Sequence, residues 1–533
     1  MAKKLLALAL AVIMALGLIA CNNNSTPVDT KDTTPSVTVP EDTKPHDPVV
    51  LEWYYRSAGV QKDTQLVEDK LNELLKETEL DYVTLHIHPF NGSEYAQQVA
   101  LAQASGAQMD IVGSVSLNFY QNIEDGTWMP MNDYMSDTLK DEFPDWLWDQ
   151  CSVDGNVYIV PNYQNAFNCA YFVFPQEYMD KYGNYDEMKA ILQDPNKTLT
   201  EKAACLEEYT MKVREGEGDT KYCNYLDMGS NSGSLGFSFV TPYDQIATDF
   251  IVFDGSDTVE YIYETDYWKE QFAIYADWAS KGIFAANGVS SSRWDWKMEN
   301  MMDETAFAWY CQALYGPEEF IAATVEGVCG CEIAAIKVQD YNFIQKNYAA
   351  GGNGISSTCQ NPDVAAKFLE LINCGDEMGK KIYNTLVFGL EGVHWEWVDE
   401  ANDRIKTLEY DDSQGSECSY AAWKWCVGNS FYAYKNQAVQ DDQYPIAKEM
   451  NESPDTVSSS LIGFVSDTTS IQTKLEQCNA VKSEYFNALY NGTMGPDGWE
   501  AYYNEFIEKM KTAGMDDIKA ELQRQLDAFL ASK

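Results

Sequence analysis

Histidine is the scarcest reactive residue in these 533: His46, His86, His88 and His394. A general base or a metal centre needs such a group held beside a partner. His86 and His88 stand two apart in Tyr82-Val83-Thr84-Leu85-His86-Ile87-His88, on one face of a strand, with no third ligand nearby. Cys329-Gly330-Cys331 is the one close cysteine pair, and it lacks the second pair or histidine cluster of a zinc site. There is no Gly-x-Ser-x-Gly, no phosphate-cradling Gly-Lys-Ser/Thr and no His-Glu-x-x-His. Gly351-Gly352-Asn353-Gly354 lacks the lysine and the dinucleotide spacing. Two carboxylates flanking a glycosidic bond suffice for hydrolysis, but among 83 acidic residues chance pairs carry no specificity. The expectation is a chain with no catalytic residue, no metal and no cofactor; a carbohydrate-active hydrolase stays as an alternative.

What remains is binding chemistry. Aromatic residues make up 13% of the chain, and flat ring faces suit ligands with an apolar face and a rim of hydroxyls. The candidates lie where strands end: Tyr55 after Trp53 and Tyr54, Tyr163 and Phe167 after a short strand, Trp309, and Trp395 with Trp397, which share a face if that stretch is extended. Polar candidates accompany them. Arg56 can donate two parallel bonds to a hydroxyl pair or a carboxylate; Ser114 and Asn118 follow a third strand; Asn165 follows Tyr163. The acidic balance, 83 Asp and Glu against 37 Lys and Arg for a net charge of −46, repels nucleic acid and anionic lipid. It favours a neutral or cationic ligand.

The elements that position these residues follow from periodicity. Val49 to Tyr55 is a β-rich run; Asp63 to Glu79 carries Leu66, Val67, Leu71, Leu74 and Leu75 at helical spacing; Tyr82 to His88 alternates. A helix over Ser93 to Ser105 and a strand over Met109 to Ser114 complete a strand–helix alternation that predicts a parallel sheet with crossover helices. Gly155 to Pro161 and Ala170 to Phe174 are further strands. The thirteen cysteines are scattered, unlike a small disulfide scaffold.

The amino terminus reads as a targeting segment. Lys3 and Lys4 precede the apolar run Leu5 to Gly17, which is too short for a permanent span. Leu18-Ile19-Ala20-Cys21 then resembles a bacterial lipobox, in which cleavage precedes the cysteine and its thiol carries lipid. Residues 21–47 follow as a Thr-, Pro- and Asp-rich linker without apolar period; as a coil it reaches on the order of 30 Å.

The order of segments resembles the extracellular solute-binding lipoproteins of ABC importers. Ala104-Ser105-Gly106 with Met109-Asp110-Ile111, Glu124-Asp125-Gly126-Thr127-Trp128-Met129-Pro130-Met131 and Asp154-Gly155-Asn156-Val157-Tyr158-Ile159-Val160-Pro161 match local patterns of the sugar and oligosaccharide type. Tyr383-Asn384-Thr385-Leu386-Val387-Phe388-Gly389-Leu390-Glu391-Gly392-Val393-His394-Trp395, Gly463-Phe464, and Gly514 with the helix Asp516 to Leu530 resemble a subgroup with a distinctive carboxy-terminal region. Asp125 and Trp128 depart from the pattern. The resemblance implies an α/β, two-lobed periplasmic-binding-protein-like fold of type II with a ligand cleft between the lobes. One lobe is expected over 48–162 plus 290–340, the other over 163–289 plus 341–533. It further implies a non-enzymatic monomer, anchored by lipid to the outer face of the cell membrane, that captures a neutral solute, an oligosaccharide in the first instance, and hands it to ABC permease subunits. A peptide or other solute on the same fold is the alternative. Glu391 and His394 join the site candidates through the resembling motif.

Overall fold

The computed structural model describes residues 46–92, 94–166, 169–218, 222–224, 243–283, 306–314, 316–337, 342–344, 351–408, 419–436, 439–454 and 456–532. The targeting segment, Cys21, nearly all of the linker, and Phe167 lie outside them.

Two sheets organise the chain. Their strands are β1 (Val49–Arg56), β2 (Val83–Phe90), β3 (Ile111–Gly113), β4 (Val160–Pro161), β5 (Cys169–Pro175), β6 (Tyr222–Asn224), β7 (Ala306–Leu314), β8 (Ile333–Lys337) and β9 (Gly352–Ile355). The first sheet has the order β2-β1-β3-β9-β4, the second β8-β5-β7-β6. In the first, β1 pairs in parallel with β2 and β3, while β9 runs antiparallel to both its neighbours. In the second, β5 is antiparallel to β7 and β8.

Local chemistry accounts for these elements. Along β1, Leu51, Trp53 and Tyr55 are buried and the residues between them are not, the period of two expected of a strand. The helix Thr64–Leu75 buries Val67, Leu71, Leu74 and Leu75. Leu66, one residue off that stripe, is 45% exposed. The helix Tyr95–Ser105 stops at Gly106, whose φ of +67° forms a left-handed cap that returns its N–H to Ala102 and Gln103 carbonyls. The long helix Leu199–Glu217 starts from a capping box between Thr198 and Glu201.

Each sheet has its own core. Trp53, Leu71, Ile111 and Trp128 pack with Phe368, Leu369 and Tyr383 in the first. Phe172, Leu206, Phe272 and Trp278 pack in the second with residues of the terminal helices Gln472–Tyr490, Gly495–Thr512 and Met515–Ser532. The fold is α/β with two lobes, as the resemblance implies.

Strand pairing redraws the expected lobe boundaries. Residues 306–337, expected in the first lobe, supply β7 and β8 of the second sheet beside β5. Residues 352–355, expected in the second lobe, form β9 inside the first sheet, and the helices Pro362–Cys374 and Glu377–Phe388 complete the first core. Among the described residues, the first sheet and its core therefore draw on 49–163 and 352–444, and the second on 169–337 and 461–526. Hydropathy could not reveal the return: β9 is Gly-Asn-Gly-Ile. A Cβ on Gly352 would come within 2.7 Å of the Val160 carbonyl oxygen, so this tight strand admits glycine and carries little apolar pattern.

Among the described residues, the chain passes from the first sheet to the second through 162–166, between β4 and β5. The helix Gln443–Asn451 ends against the first passage: Asn451 accepts from Ala166 N at 2.8 Å and donates to Gln164 O at 2.9 Å. No helix among the described residues is long and apolar enough to cross a membrane.

Candidate ligand-binding site

The site is built at the carboxyl end of β1. Tyr55 takes the core side and Arg56 is the last residue of the strand, at the end where ligands meet open α/β sheets. The segment 419–427 is fastened over this end. Asp63 N donates to Ser419 O at 3.1 Å, Ala421 N to Gln61 Oε1 at 2.9 Å and Trp423 N to Ser57 Oγ at 3.3 Å.

A single helical turn, Lys424–Val427, follows. A helix this short leaves its carbonyls without internal partners, and side chains take them up. Tyr383 donates to the Lys424 carbonyl at 3.2 Å and Asn162 to that of Trp425 at 3.1 Å. Asn353 reaches those of Cys426 and Val427, each at 3.3 Å. Lys424 turns away to the Tyr444 hydroxyl at 3.0 Å.

The backbone so held presents two indoles. Trp423 and Trp425 stack with ring centroids 5.3 Å apart and planes 13° from parallel, and both are half-buried. The Arg56 guanidinium lies 4.9 Å from the first ring centroid and 5.4 Å from the second. Beneath, burial pushes the Cys426 thiol well up, against the opposite pull of Arg56. Flat rings and a forked donor can bind an apolar ring face and the oxygens on its rim. Neither supplies a nucleophile or a proton shuttle at neutral pH.

Of the residues singled out by sequence, Arg56 alone joins this cluster. Tyr55 is 1% exposed and packs on Trp53 at 4.7 Å; it is a core residue, not a ligand plate. Ser114 is fully buried and bonded to Gly352 O. Asn118 is exposed and caps the short helix Phe119–Glu124. Tyr163 is buried at the first passage between lobes, between Phe143 and Phe431, and burial pushes its hydroxyl up to about 12. Asn165 is half-buried on the same passage. Trp309 lies on β7 of the second sheet, opposite Val173 and Asn224, and not in a strand returning to the first lobe. Glu391 is exposed in the turn before the hairpin of Trp395–Asp399 and Arg404–Thr407.

His394 and the two hairpin tryptophans belong to that hairpin's own packing. His394 accepts from Leu390 N at 2.9 Å and meets Asp63 at 3.3 Å, bracing the first lobe. Trp395 is buried with Ile405 and Tyr434, and Trp397 packs edge-on against it at 4.9 Å. Trp423 and Trp425, missed in the sequence, share the spacing of Trp395 and Trp397. Tertiary partners tell the pairs apart: Ser57, Asn162 and Asn353 hold the segment of one, while Ile405 and Tyr434 bury the other. His88 pairs with Glu52 at 2.6 Å and His86 with Glu68 at 3.1 Å. Among the described residues no group of three or more His, Cys, Asp or Glu side chains could hold a metal ion.

Comparison with known proteins extends over 87% to 91% of the chain. Residues 460–531 match a domain of unknown function, DUF3502. A protein of Streptococcus pneumoniae serotype 4 named carbohydrate ABC transporter substrate-binding protein is 22% identical over 490 residues, 87% of this chain and 89% of the relative. The crystal structure of the S. pneumoniae N-glycan transport solute binding protein NgtS matches with a TM-score of 0.69 at 19% identity, covering 91% of this chain and 99% of that one. The S. pneumoniae substrate-binding protein FusA, an EF-hand mutant in complex with fructo-nystose, matches with a TM-score of 0.55 at 16% identity, covering 91% of this chain and 100% of that one. Along nearly nine tenths of its length this chain is thus similar to a carbohydrate ABC transporter substrate-binding protein, and it shares the two-lobed fold of solved solute-binding proteins.

Proposed function

We propose that this chain captures an oligosaccharide between its two lobes and delivers it to an ABC permease, breaking no bond. The observation that carries the reading is the stacked, half-buried Trp423–Trp425 pair with Arg56 at the carboxyl end of β1. Supporting it, the NgtS structures include complexes with Man1GlcNAc and Man5GlcNAc, and those of FusA include fructo-nystose and kestose. A pyranose or furanose ring offers one apolar face to an indole while its hydroxyls reach the forked donor.

Closure is a hinge motion about the connections between the two sheets, residues 162–166 and the helix Gln443–Asn451 among them, with ligand bridging both lobes and stabilising the closed state. A dissociation constant near micromolar corresponds to about −8 kcal/mol, within reach of one or two stacked rings and several hydrogen bonds after ordering costs. Cys21 carries the lipid, residues 22–47 are the tether, and the protein works as a monomer on the outer face of the membrane.

The test is calorimetry and thermal shift of the mature chain with manno-, xylo-, cello- and fructo-oligosaccharides and with Man5GlcNAc. A saturable rise in melting temperature with one sugar class, and no release of reducing ends on long incubation, is expected. Binding of peptides in place of sugars ends the carbohydrate reading, and steady reducing-end release ends the non-enzymatic one. Lipidation is read by fatty-acid labelling that Cys21→Ala abolishes.

A further inference from the structure

Arg56 is held unlike the arginines that serve this chain's surface. Arg404 directs its fork to Asp441 at 3.0 and 2.5 Å, and Arg524 to Glu521 at 2.9 and 2.6 Å. No carboxylate pairs with Arg56 among the described residues, although acids outnumber bases more than two to one in the sequence. Its Nε is buried without a hydrogen-bond acceptor, and the faces of Trp423 and Trp425 lie against its charge.

The difference matters for what the fork can still do. A carboxylate partner takes up the parallel N–H donors of a guanidinium. An aromatic face offsets the charge and takes none of them. One flank of the guanidinium is closed by Gly92, where a Cβ would come within 2.8 Å of both Nε and Nη2 and 3.1 Å of Cζ. The backbone of Gly92 is outside the left-handed region, so its conformation is open to any residue. What the position requires is room for Arg56.

We infer that Arg56, held by indole faces in place of a carboxylate and admitted by Gly92, is the specificity-determining donor of the site: it reads two adjacent hydroxyl oxygens on a neutral sugar ring stacked at the tryptophan pair. The inference rests on the carbohydrate reading above. With its charge already met by the π faces, the fork needs no anionic ligand to balance it. Charge-assisted bonds to a hydroxyl pair are stronger than neutral ones, and a site built around them discriminates against an analogue lacking one hydroxyl. Lysine keeps the charge at this position but not the fork. Gly92 acts through Arg56 and is a positioning residue.

The experiment is calorimetry on the mature chain with the neutral oligosaccharide that binds most tightly in the panel above, its monodeoxy analogues, and a version bearing a uronic acid. Arg56→Lys and Gly92→Ala are each expected to weaken binding of the parent sugar by about tenfold or more. Ligand-free melting temperature should be little changed for Arg56→Lys and at most modestly lowered for Gly92→Ala, whose Cβ must push the Arg56 guanidinium aside. One monodeoxy analogue should bind the wild type about tenfold more weakly and lose little further with Arg56→Lys, the signature of a shared interaction. Wild-type affinity in Arg56→Lys, or about tenfold tighter binding of the uronic acid version, overturns the inference and leaves the carbohydrate reading standing. Failure of every sugar in the panel to bind overturns both.

Discussion

Asn353 and Asn162 join across the first sheet, Nδ2 of the former donating to Oδ1 of the latter at 3.1 Å, and both are buried. Asn353 also accepts from the Trp53 indole at 3.0 Å and reaches the carbonyls of Cys426 and Val427, while Asn162 holds that of Trp425. Two amides thus fix the turn that carries the tryptophan pair to the strands beneath it. Asn353→Ala is expected to orphan several buried groups, at about 1–3 kcal/mol for each left unsatisfied, and to weaken sugar binding as well. Urea unfolding and calorimetry on one preparation measure both; intact affinity in a destabilised variant would separate the turn from the site.

The two i, i+2 tryptophan pairs should behave in opposite ways. Trp425→Ala removes a half-buried plate, so binding is expected to fall by about tenfold or more, with a small change in stability. Trp395→Ala empties a buried position beside Ile405 and Tyr434, and is expected to cost about 3–5 kcal/mol while leaving the affinity of the folded fraction unchanged. A loss of affinity confined to Trp395→Ala would put the ligand at the hairpin instead.

Cys151, Cys205, Cys359, Cys374, Cys426 and Cys478 form no disulfide. Burial pushes the thiols of Cys205 and Cys478 up to about 11 and those of Cys359 and Cys374 up to about 12, and it raises those of Cys151 and Cys426 as well. The thiolate is the reactive form. Iodoacetamide at pH 8 should therefore leave these six unmodified in the native protein and label them after denaturation, as read by peptide mass spectrometry. Rapid native labelling at Cys151 or Cys426 would show that the first core opens there.

Glu142 has a carboxyl raised from its ordinary 4.5 by burial, against the opposing pulls of Lys448 and of the Asn429 amide that donates to it at 3.1 Å. A raised value means that, as pH falls, the native chain takes up this proton before the unfolded chain does. The contribution to stability is fully present below the unfolded value and is lost as pH rises through the folded one. Wild type should therefore lose stability relative to Glu142→Gln as pH rises from the ordinary carboxyl value of 4.5 through the raised folded one. Parallel urea midpoints across that range would refute the assignment.

What the sequence disclosed, and what it hid, follows from where each signal resides. The alternation of Leu51, Trp53 and Tyr55 declares β1, and it also assigns Tyr55 to the core and Arg56 to the opposite face. A place at the strand end suggests Tyr55 for the ligand, but the parity puts its ring inside. The helices Thr64–Leu75 and Leu199–Glu217 announce themselves by apolar spacing and a capping box. The lobe boundaries do not, because β9 is recognised by its neighbours and not by its own side chains. The tryptophan pair at 423 and 425 was hidden for the same reason: its position depends on bonds from Ser57, Gln61, Asn162 and Asn353, remote in sequence.

That β9 completes the first sheet only after the second has been threaded has a bearing on biogenesis. Ser114 waits 238 residues for Gly352, and Trp53 waits 300 for Asn353. Contacts so distant along the chain form slowly, so the amino-terminal third, as it emerges from the ribosome, has no finished sheet to collapse into. A nascent polypeptide of this design keeps its first sheet open until β9, at Gly352–Ile355 of 533 residues, has been made, which would suit the proposed export of a chain before it takes shape.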